Sequence, residues 1–167
     1  MIRGFMGKVP RIAESVFVGE TAYIMGDVEI GENSSVWPGA VIRADARSMT
    51  IGQNTHIEDN VVVHFTKSIG DNVIMGHGAV VEATSIGNNV LIGDNATVLG
   101  GCRIGDFCII GAGATVMQKT IVPDRSFVVG IPAEIREVSE KQLTILEETL
   151  AGFPQLLEAH KKNMDML

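Results

Sequence analysis

The chain has 167 residues, 46% of them hydrophobic and 5% aromatic, and it carries a formal net charge of -7 at pH 7. The acidic balance, with no block of Lys or Arg, excludes a nucleic-acid-binding protein and a protein held on an anionic membrane. The opening MIRGFMGKVP contains no apolar signal segment, and no stretch is long and apolar enough to span a membrane. We therefore expect a cytoplasmic protein with one domain and a short appendage.

A branched aliphatic residue recurs every six positions between Ile12 and Val128. The lead residue of each repeat is Ile or Val, with Met75 as the one exception. An α-helix needs a period of about 3.6 residues, so this region is not helical. A six-residue period instead predicts a short strand and a turn in each repeat. Three repeats then form one triangular coil of about eighteen residues.

Stacking of such coils defines the predicted fold. The branched lead side chains fill the interior of a triangular prism, and small residues four positions later fill its corners. Neighbouring coils pair through parallel backbone hydrogen bonds about 4.8 Å apart. We therefore predict an all-β domain, a parallel β-helix of hexapeptide repeats, over residues 1–133. Two cysteines share the corner position and are expected to be buried, reduced thiols: Cys102 and Cys108.

Two changes of spacing interrupt the repeat. Nine residues separate Ile42 from Ile51, which predicts a bulge of three residues within positions 43–50. Five residues separate Val81 from Ile86, which predicts a deletion of one residue. We expect both changes to be absorbed at corners of the prism, so that the coils on either side stay in register.

The repeat stops after Pro132, and we predict a helical appendage over residues 134–167. Ser139, followed three positions later by Gln142, has the pattern of a capping box and predicts a helix from there to about Leu150. A second helix is expected to continue through Met164, separated from the first by two helix-breaking residues, Gly152 and Pro154.

The stacking of coils predicts two columns of outward side chains. Arg43, His64 and Glu82 each follow the third lead residue of consecutive coils. His64 and Glu82 then lie one coil apart, close enough to hold one metal ion. Asp59 and His77 each lie two positions after the second lead residue of their coils, so they form another column on a different face.

The two columns make chemical sense together only if several chains assemble. Within one prism, His77 should not reach the pair formed by His64 and Glu82. If three prisms pack side by side, His77 of one meets that pair on its neighbour, so we expect a homotrimer with three inter-subunit sites. The competing interpretation is that these residues form an ordinary solvated face. From spacing alone, four other polar residues show no such convergence: His56, Glu58, Asp94 and Asp106.

Three segments in order carry a family resemblance: SVWPGAVIRAD over residues 35–45, IEDNVVVH over 57–64 and GHGAVV over 76–81. Over about residues 8–137 the chain resembles the γ-class carbonic anhydrases of the hexapeptide-repeat superfamily. The resemblance implies a left-handed β-helix, a homotrimer, and a divalent metal held between subunits by three His ligands. It also implies reversible hydration of CO₂ to bicarbonate by a metal-bound hydroxide.

The resemblance assigns roles to individual residues. Two of the matching ligand positions are His64 and His77. Arg43 and Asp45 match a pair tied to the interface and the site, and Asp59 matches an acid beside the first ligand's strand. The family has Gln immediately before this acid, whereas this chain has Glu58. We expect Asp59 or Glu58 to accept or steer a proton.

The chain departs from the family at the third ligand, where Glu82 replaces His. Two His and one Glu form a known zinc ligand set, and two His with a carboxylate also suit Fe(II), so we expect one of these metals. A carboxylate ligand makes the bound water less acidic, which lowers the expected activity. In addition, FTKS after His64 leads directly to the next repeat, leaving no acidic loop for proton transfer.

Two alternatives stay open at the level of sequence. The same fold hosts acyl-CoA-dependent acyltransferases, in which His56 or His77 is the candidate general base. Against this, the chain lacks the protruding loop and the long coil extension common in such enzymes. The other alternative is a non-catalytic trimeric assembly or binding protein, because fold alone does not choose a function.

Overall fold

A computed structural model of the protein describes residues 1–163. Within them, twenty strands precede a single helix, α1, at Glu140–Asn163. In chain order, strands β1 to β20 are Ile2–Arg3, Arg11–Ile12, Phe17–Val18, Tyr23–Ile30, Ser35–Val36, Val41–Ile51, His56–Ile57, Val62–His64, Ser68–Ile69, Val73–Met75, Val80–Val81, Ser85–Ile86, Val90–Ile92, Thr97–Val98, Arg103–Ile104, Ile109–Ile110, Thr115–Val116, Ile121–Val122, Ser126–Gly130 and Ala133–Glu137.

The strands follow one another around three faces of a prism, and each pairs in parallel with the strand one coil later. Face A contains β8, β11, β14 and β17, and face B contains β9, β12, β15 and β18. Face C contains β3, β5, β7, β10, β13, β16 and β19. The long strands β4 and β6 pass around the corner between faces A and B and join these two faces into one sheet. The predicted parallel β-solenoid is confirmed.

The lead residues of the repeat fill the interior of the prism, as predicted. All of them from Ile24 to Val128 are buried, while Ile12 and Val18 in the first coil are partly buried. Small corner residues are buried with them. Cys102 and Cys108 are buried and not bridged, and burial raises the pKa of both thiols. The stack of branched side chains therefore supplies the hydrophobic stabilisation of the solenoid, about 0.8 kcal/mol for each buried CH₂ group.

Asparagine and glycine make the tight corners possible. Asn tolerates the left-handed backbone conformation better than most residues, which explains why IGxN recurs along the chain. An added Cβ at Gly70 would lie 2.5 Å from the carbonyl oxygen of Gly87 in the next coil, so the coils stack closely only with glycine there. The asparagines at such corners have φ of +58°, +50°, +54° and +55°: Asn33, Asn54, Asn72 and Asn89.

Both interruptions of the repeat are absorbed as predicted. Between β4 and β6, Gly26 pairs with Ala44 and Val28 with Met49, so residues 45–48 bulge opposite a single residue. The bulge is fixed by the Ser48 hydroxyl, which donates to Asp27 Oδ2 at 2.7 Å. The one-residue deletion lies just before β12, which still pairs in register with β9 and β15.

The predicted capping box is present. The backbone N–H of Ser139 donates to Gln142 Oε1 at 2.9 Å, and the backbone N–H of Gln142 lies 3.3 Å from Ser139 Oγ. The predicted break into two helices is wrong, because α1 continues through Gly152 and Pro154. The predicted end at Met164 lies outside the described residues.

Burial of one aromatic side chain explains why the helix continues. Interior Gly and Pro cost a helix about 1 and 3 kcal/mol respectively. Phe153 lies between the two breakers, is buried, and stacks on the His56 ring with centroids 4.4 Å apart and planes 16° apart. Burying a Phe side chain recovers a free energy of about 3 kcal/mol, which offsets most of the combined cost of about 4 kcal/mol.

Helix α1 covers face C along its length. Most outward side chains of this face are apolar, with Ser35 and His56 as the polar exceptions, and Ile109 and Phe127 pack with Leu143 and Leu146 of the helix. Further along, the His160 ring meets Trp37 edge-on at 4.7 Å. A helix of this length extends about 36 Å, which matches the height of seven stacked coils. The helix therefore closes one face of the prism to solvent.

The last strand belongs to the same face. Strand β20 pairs antiparallel with β19 and completes the sheet before α1 begins. The division of the chain at residue 133 stays a prediction. Among residues 1–163, no helix is long and apolar enough to cross a membrane.

We expect Phe153→Ala to lower the free energy of unfolding by about 3 kcal/mol, because it empties the contact that holds the helix across its two breakers. The matched control is Leu156→Ala, which removes an aliphatic side chain that is 45% exposed on the same helix. This control should cost less than about 0.5 kcal/mol. Urea denaturation followed by circular dichroism measures both, and equal losses would contradict the proposed anchoring role of Phe153.

Candidate metal site

The first predicted column is present along one edge of face A. Arg43 in β6 pairs with His64 in β8, and Val63 pairs with Val81, so Glu82 follows β11 one coil above His64. All three side chains leave the strands where face A ends and the corner towards face B begins. Face A therefore has one edge with two candidate ligands on successive coils.

His64 is held by contacts at both ring nitrogens. Nδ1 lies 3.2 Å from Arg43 Nη2, and Nε2 lies 3.0 Å from Asp45 Oδ1. A guanidinium only donates, so Nδ1 is the acceptor and Nε2 donates to the carboxylate. The hydrogen bond from His64, followed by the charge of Arg43, lowers the pKa of Asp45. The Phe65 ring packs on the imidazole with centroids 3.8 Å apart, a contact that the repeat pattern did not reveal.

The second predicted column lies along the opposite edge of face A, at the corner with face C. His77 lies between two carboxylates, with Nδ1 3.2 Å from Asp59 Oδ2 and Nε2 3.4 Å from Glu58 Oε2. Its backbone N–H donates to Asp94 Oδ1 at 3.0 Å. One ligand atom each from Glu58, His77 and Asp94 lie within 4.8 Å of one another. This is the only group among the described residues with the donor types and spacing of a metal site inside one chain.

The environment of Glu58 favours its protonated form. Burial raises the pKa of this carboxyl most, and the charges of Asp94 and Asp59 raise it further, while His77 opposes them. A carboxyl with a raised pKa exchanges protons closer to neutral pH than an ordinary glutamate does. Glu58 is therefore the acid of this cluster best suited to accept and release a proton.

Two sequence-based expectations need correction here. Glu58 and Asp94 were expected to lack partners, yet both converge on His77. The repeat spacing already contained this information. Met75 pairs with Ile57 and with Ile92, so Asp59, His77 and Asp94, each two positions later, lie on successive coils of one column. In contrast, Asp106 accepts the backbone N–H of Asn88 at 2.7 Å and braces a corner.

The assignment of His56 as a candidate acyltransferase base is wrong. Its ring lies under Phe153, only 2% of the residue is exposed, and Nδ1 forms a hydrogen bond with Ser35 Oγ at 2.8 Å. Burial lowers the pKa of His56 to about 4. Because the helix covers this ring, it does not reach an acceptor substrate. His56 serves the docking of α1.

The strands of face A separate the two columns. Asp59 and His77 precede β8 and β11, whereas His64 and Glu82 end or follow them. Within one chain the columns therefore stand at opposite edges of face A, whereas the sequence had placed the second column on a different face. This arrangement leaves His77 and the His64–Glu82 pair each with an incomplete ligand set.

Comparison with known proteins defines the class of protein and then the family. The profile of the family "Bacterial transferase hexapeptide (six repeats)" matches residues 10–44 and 83–118. A hexapeptide transferase family protein from Anaplasma phagocytophilum has a similar structure, with a TM-score of 0.90, 28% identity and coverage of 96% of this chain and 98% of that one. The fold is thus that of the hexapeptide-repeat proteins.

Sequence relatives narrow this class. "Probable carbonic anhydrase" of Methanocaldococcus jannaschii is 43% identical over 88% of this chain and 96% of its own length. "Gamma carbonic anhydrase 1, mitochondrial" of Arabidopsis thaliana is 34% identical over 92% of this chain, which spans 60% of that longer protein. The chain belongs to the γ-class carbonic anhydrase-like family of the hexapeptide-repeat superfamily.

The buried His56 predicts a specific dependence of stability on pH. Its pKa is about 4 in the fold and about 6.5 in the unfolded chain, so the unfolded state takes up the proton first as the pH falls. Its contribution is complete above about pH 6.5 and is lost between there and pH 4, by up to about 3 kcal/mol. We expect the stability advantage of the wild type over His56→Gln to shrink by that amount from pH 7 to pH 4. Urea denaturation at several pH values tests this, and parallel pH profiles for the two proteins would contradict it.

Proposed function

We propose that the protein is a homotrimeric metalloprotein that hydrates CO₂ reversibly to bicarbonate, with low activity. The observation that supports this best is the position of the two columns at opposite edges of face A. In a cyclic trimer each subunit presents one edge to the next, so that His77 of one chain approaches the His64–Glu82 pair of its neighbour. The names of the relatives supply the proposed reaction.

The surface of face A supports the trimer. Face C is covered by α1, and the outward residues of face B are mainly polar. On face A the outward side chains of β8 and β11 are valines, and Val62 and Val80 are 37% and 38% exposed in the single chain. Adjacent exposed valines beside polar columns have the composition of an interface centre with a polar rim.

The donor set fits a divalent metal. His64 and Glu82 of one subunit and His77 of the next would hold it, as two imidazoles and a carboxylate, a set used by zinc and by Fe(II). The hydrogen bond from His64 Nε2 to Asp45 leaves Nδ1 as the ligand atom, because ligating histidines usually donate their second N–H to a carboxylate or carbonyl. The contact of Nδ1 with Arg43 Nη2 at 3.2 Å would open when a metal takes that lone pair. When bound, such a metal supplies a Lewis acid that favours ionisation of the attacking water.

The residues of the chain supply orientation and proton transfer. Asp45 fixes the ring of His64, and Arg43 braces Asp45 through a contact of 3.4 Å to the carboxylate. Asp59 holds Nδ1 of His77 and so orients its Nε2. Glu58, next to that nitrogen, accepts the proton released by the reacting water and passes it to solvent.

Low activity follows from two features of this chain. Glu82 brings a negative charge into the ligand set, and this opposes ionisation of the reacting water. In addition, Phe65 and the residues after it lead directly into β9, with no acidic loop beside His64 to carry protons away. Proton removal then depends on Glu58 and on buffer.

The trimer predicts an effect of charge on face A. We expect Val80→Glu to dissociate the protein into 17.8 kDa monomers, because it places a carboxylate in the centre of the interface. The matched control is Ile121→Glu, since Ile121 is 70% exposed at the corresponding outward position of face B. Light scattering of wild type and control should give about three times the mass of one chain. A monomeric wild type would remove the inter-subunit site.

Glu82 gives the sharpest test of the metal site. We expect Glu82→Ala to lower metal content to less than about a tenth, as His64→Ala does, because each removes one of three protein ligands. Glu82→His should keep the metal and raise the CO₂ hydration rate at neutral pH, because a neutral ligand favours ionisation of the reacting water near pH 7. Elemental analysis for zinc and iron and stopped-flow hydration assays measure both.

A surface glutamate provides the control for these variants. Glu148 is exposed on α1, and Glu148→Ala should change neither metal content nor rate. If proton removal limits Glu82→His, added imidazole buffer should raise its rate. A wild type without metal, together with no gain in Glu82→His, would contradict the hydration proposal and favour a non-catalytic assembly protein.

A further inference from the structure

Phe65 follows the proposed ligand His64 at a corner where its backbone conformation is unfavourable. Its φ is +55°, in the left-handed region that bulky side chains rarely adopt. Among the described residues, most others in this region, glycines aside, are asparagines, which tolerate it. Asparagine would therefore form this corner with less strain, so local backbone geometry does not explain the choice of phenylalanine.

Burial of the Phe65 side chain does not explain it either. The residue is 43% exposed in the single chain and lies outside the hydrophobic core of the prism. Its ring instead contacts two neighbours. Its centroid lies 3.8 Å from the centroid of the His64 ring, with planes 47° apart, and 5.9 Å from Cζ of Arg47, a distance at which a guanidinium is attracted to the ring. Arg47 belongs to the bulge at residues 45–48, so Phe65 connects the imidazole to the bulge that carries Asp45.

A contact on the face of the His64 ring has a use in the proposed metal site. Asp45 restrains Nε2 through one hydrogen bond of 3.0 Å, and a ring held at one atom can still tilt about it. Arg43 contacts Nδ1 at 3.2 Å, but this contact opens once a metal takes the lone pair. The direction of Nδ1 then depends on packing against the ring face. Ligating imidazoles need such support, because loss of an outer partner weakens metal binding by about 10- to 100-fold.

We propose that Phe65 is a positioning residue: its ring, held against Arg47, fixes the plane of the His64 imidazole so that Nδ1 points at the metal. This role rests on the metal site proposed above. Residues in sparsely populated backbone conformations persist where their surroundings fix them, and they cluster at functional sites. The corner at Phe65 has this character, because its ring contacts a proposed ligand and contributes little to the core.

Replacing Phe65 by asparagine removes the ring and keeps the corner. Phe65→Asn should leave the midpoint of urea denaturation unchanged or raise it, since asparagine suits the backbone, and should weaken zinc binding about tenfold. Phe65→Tyr keeps the aromatic ring and should bind zinc within about twofold of the wild type. The matched control is Phe107→Asn, because Phe107 has a φ of +56° at a corner between faces B and C, which carries neither column. Competition with a chromogenic zinc chelator gives the affinities.

The possible failures of this experiment are distinguishable. Equal zinc affinities for Phe65→Asn and Phe107→Asn, while His64→Ala loses zinc, would overturn the role of Phe65 and leave the metal site intact. Light scattering should give every variant the mass of the wild type. Weaker binding in Phe65→Asn together with a changed mass would also overturn this role, because the ring would then act on assembly. A wild type that binds no zinc would overturn the metal site and, with it, the positioning role.

Discussion

The parallel hydrogen-bond register between coils determines where each outward side chain of this protein stands. The lead residues must face the interior, and a shift of one residue would turn all of them to solvent, so the register is strongly specified. Pairs such as Val63 with Val81 and Met75 with Ile92 then fix the residues beside them. His64 and Glu82 lie on successive coils because their buried neighbours do. The geometry of the candidate site is therefore a consequence of core packing.

The three faces of the prism take different roles because their outward residues differ. Face C is mostly apolar and is buried by α1, face B is mainly polar, and face A exposes valines between two polar edges. In the proposed trimer the two edges would supply complementary parts of one ligand set, His64 and Glu82 from one edge and His77 from the other. A solenoid repeats its backbone every coil, so such asymmetry comes only from side chains. The inward positions thus determine the fold, and the outward positions determine which surfaces are available for the proposed assembly.

The elements that depend on local or repeated signals were predictable from sequence. The register breaks, the capping box at Ser139 and both columns follow from spacing alone. The helix break at Pro154 was predicted wrongly, because local propensity was outweighed by the burial of Phe153 on His56. The same docking hid His56 itself, whose position in the repeat is outward. Contacts between the repeats and a segment outside them leave no periodic pattern in the sequence, so they could not be predicted from spacing.

The convergence of Glu58 and Asp94 on His77 has a consequence for assembly. In the single chain both ring nitrogens of His77 face carboxylates, at 3.2 Å and 3.4 Å. A histidine keeps one carboxylate partner while its other nitrogen acts as a ligand, so the ring must release one of the two when it serves the neighbouring subunit. Glu58 is the one with the longer contact and with a pKa raised by burial, so it gives up the contact at the lower electrostatic cost. The proposed trimer would thereby free, beside the reacting water, the carboxyl best suited to take its proton.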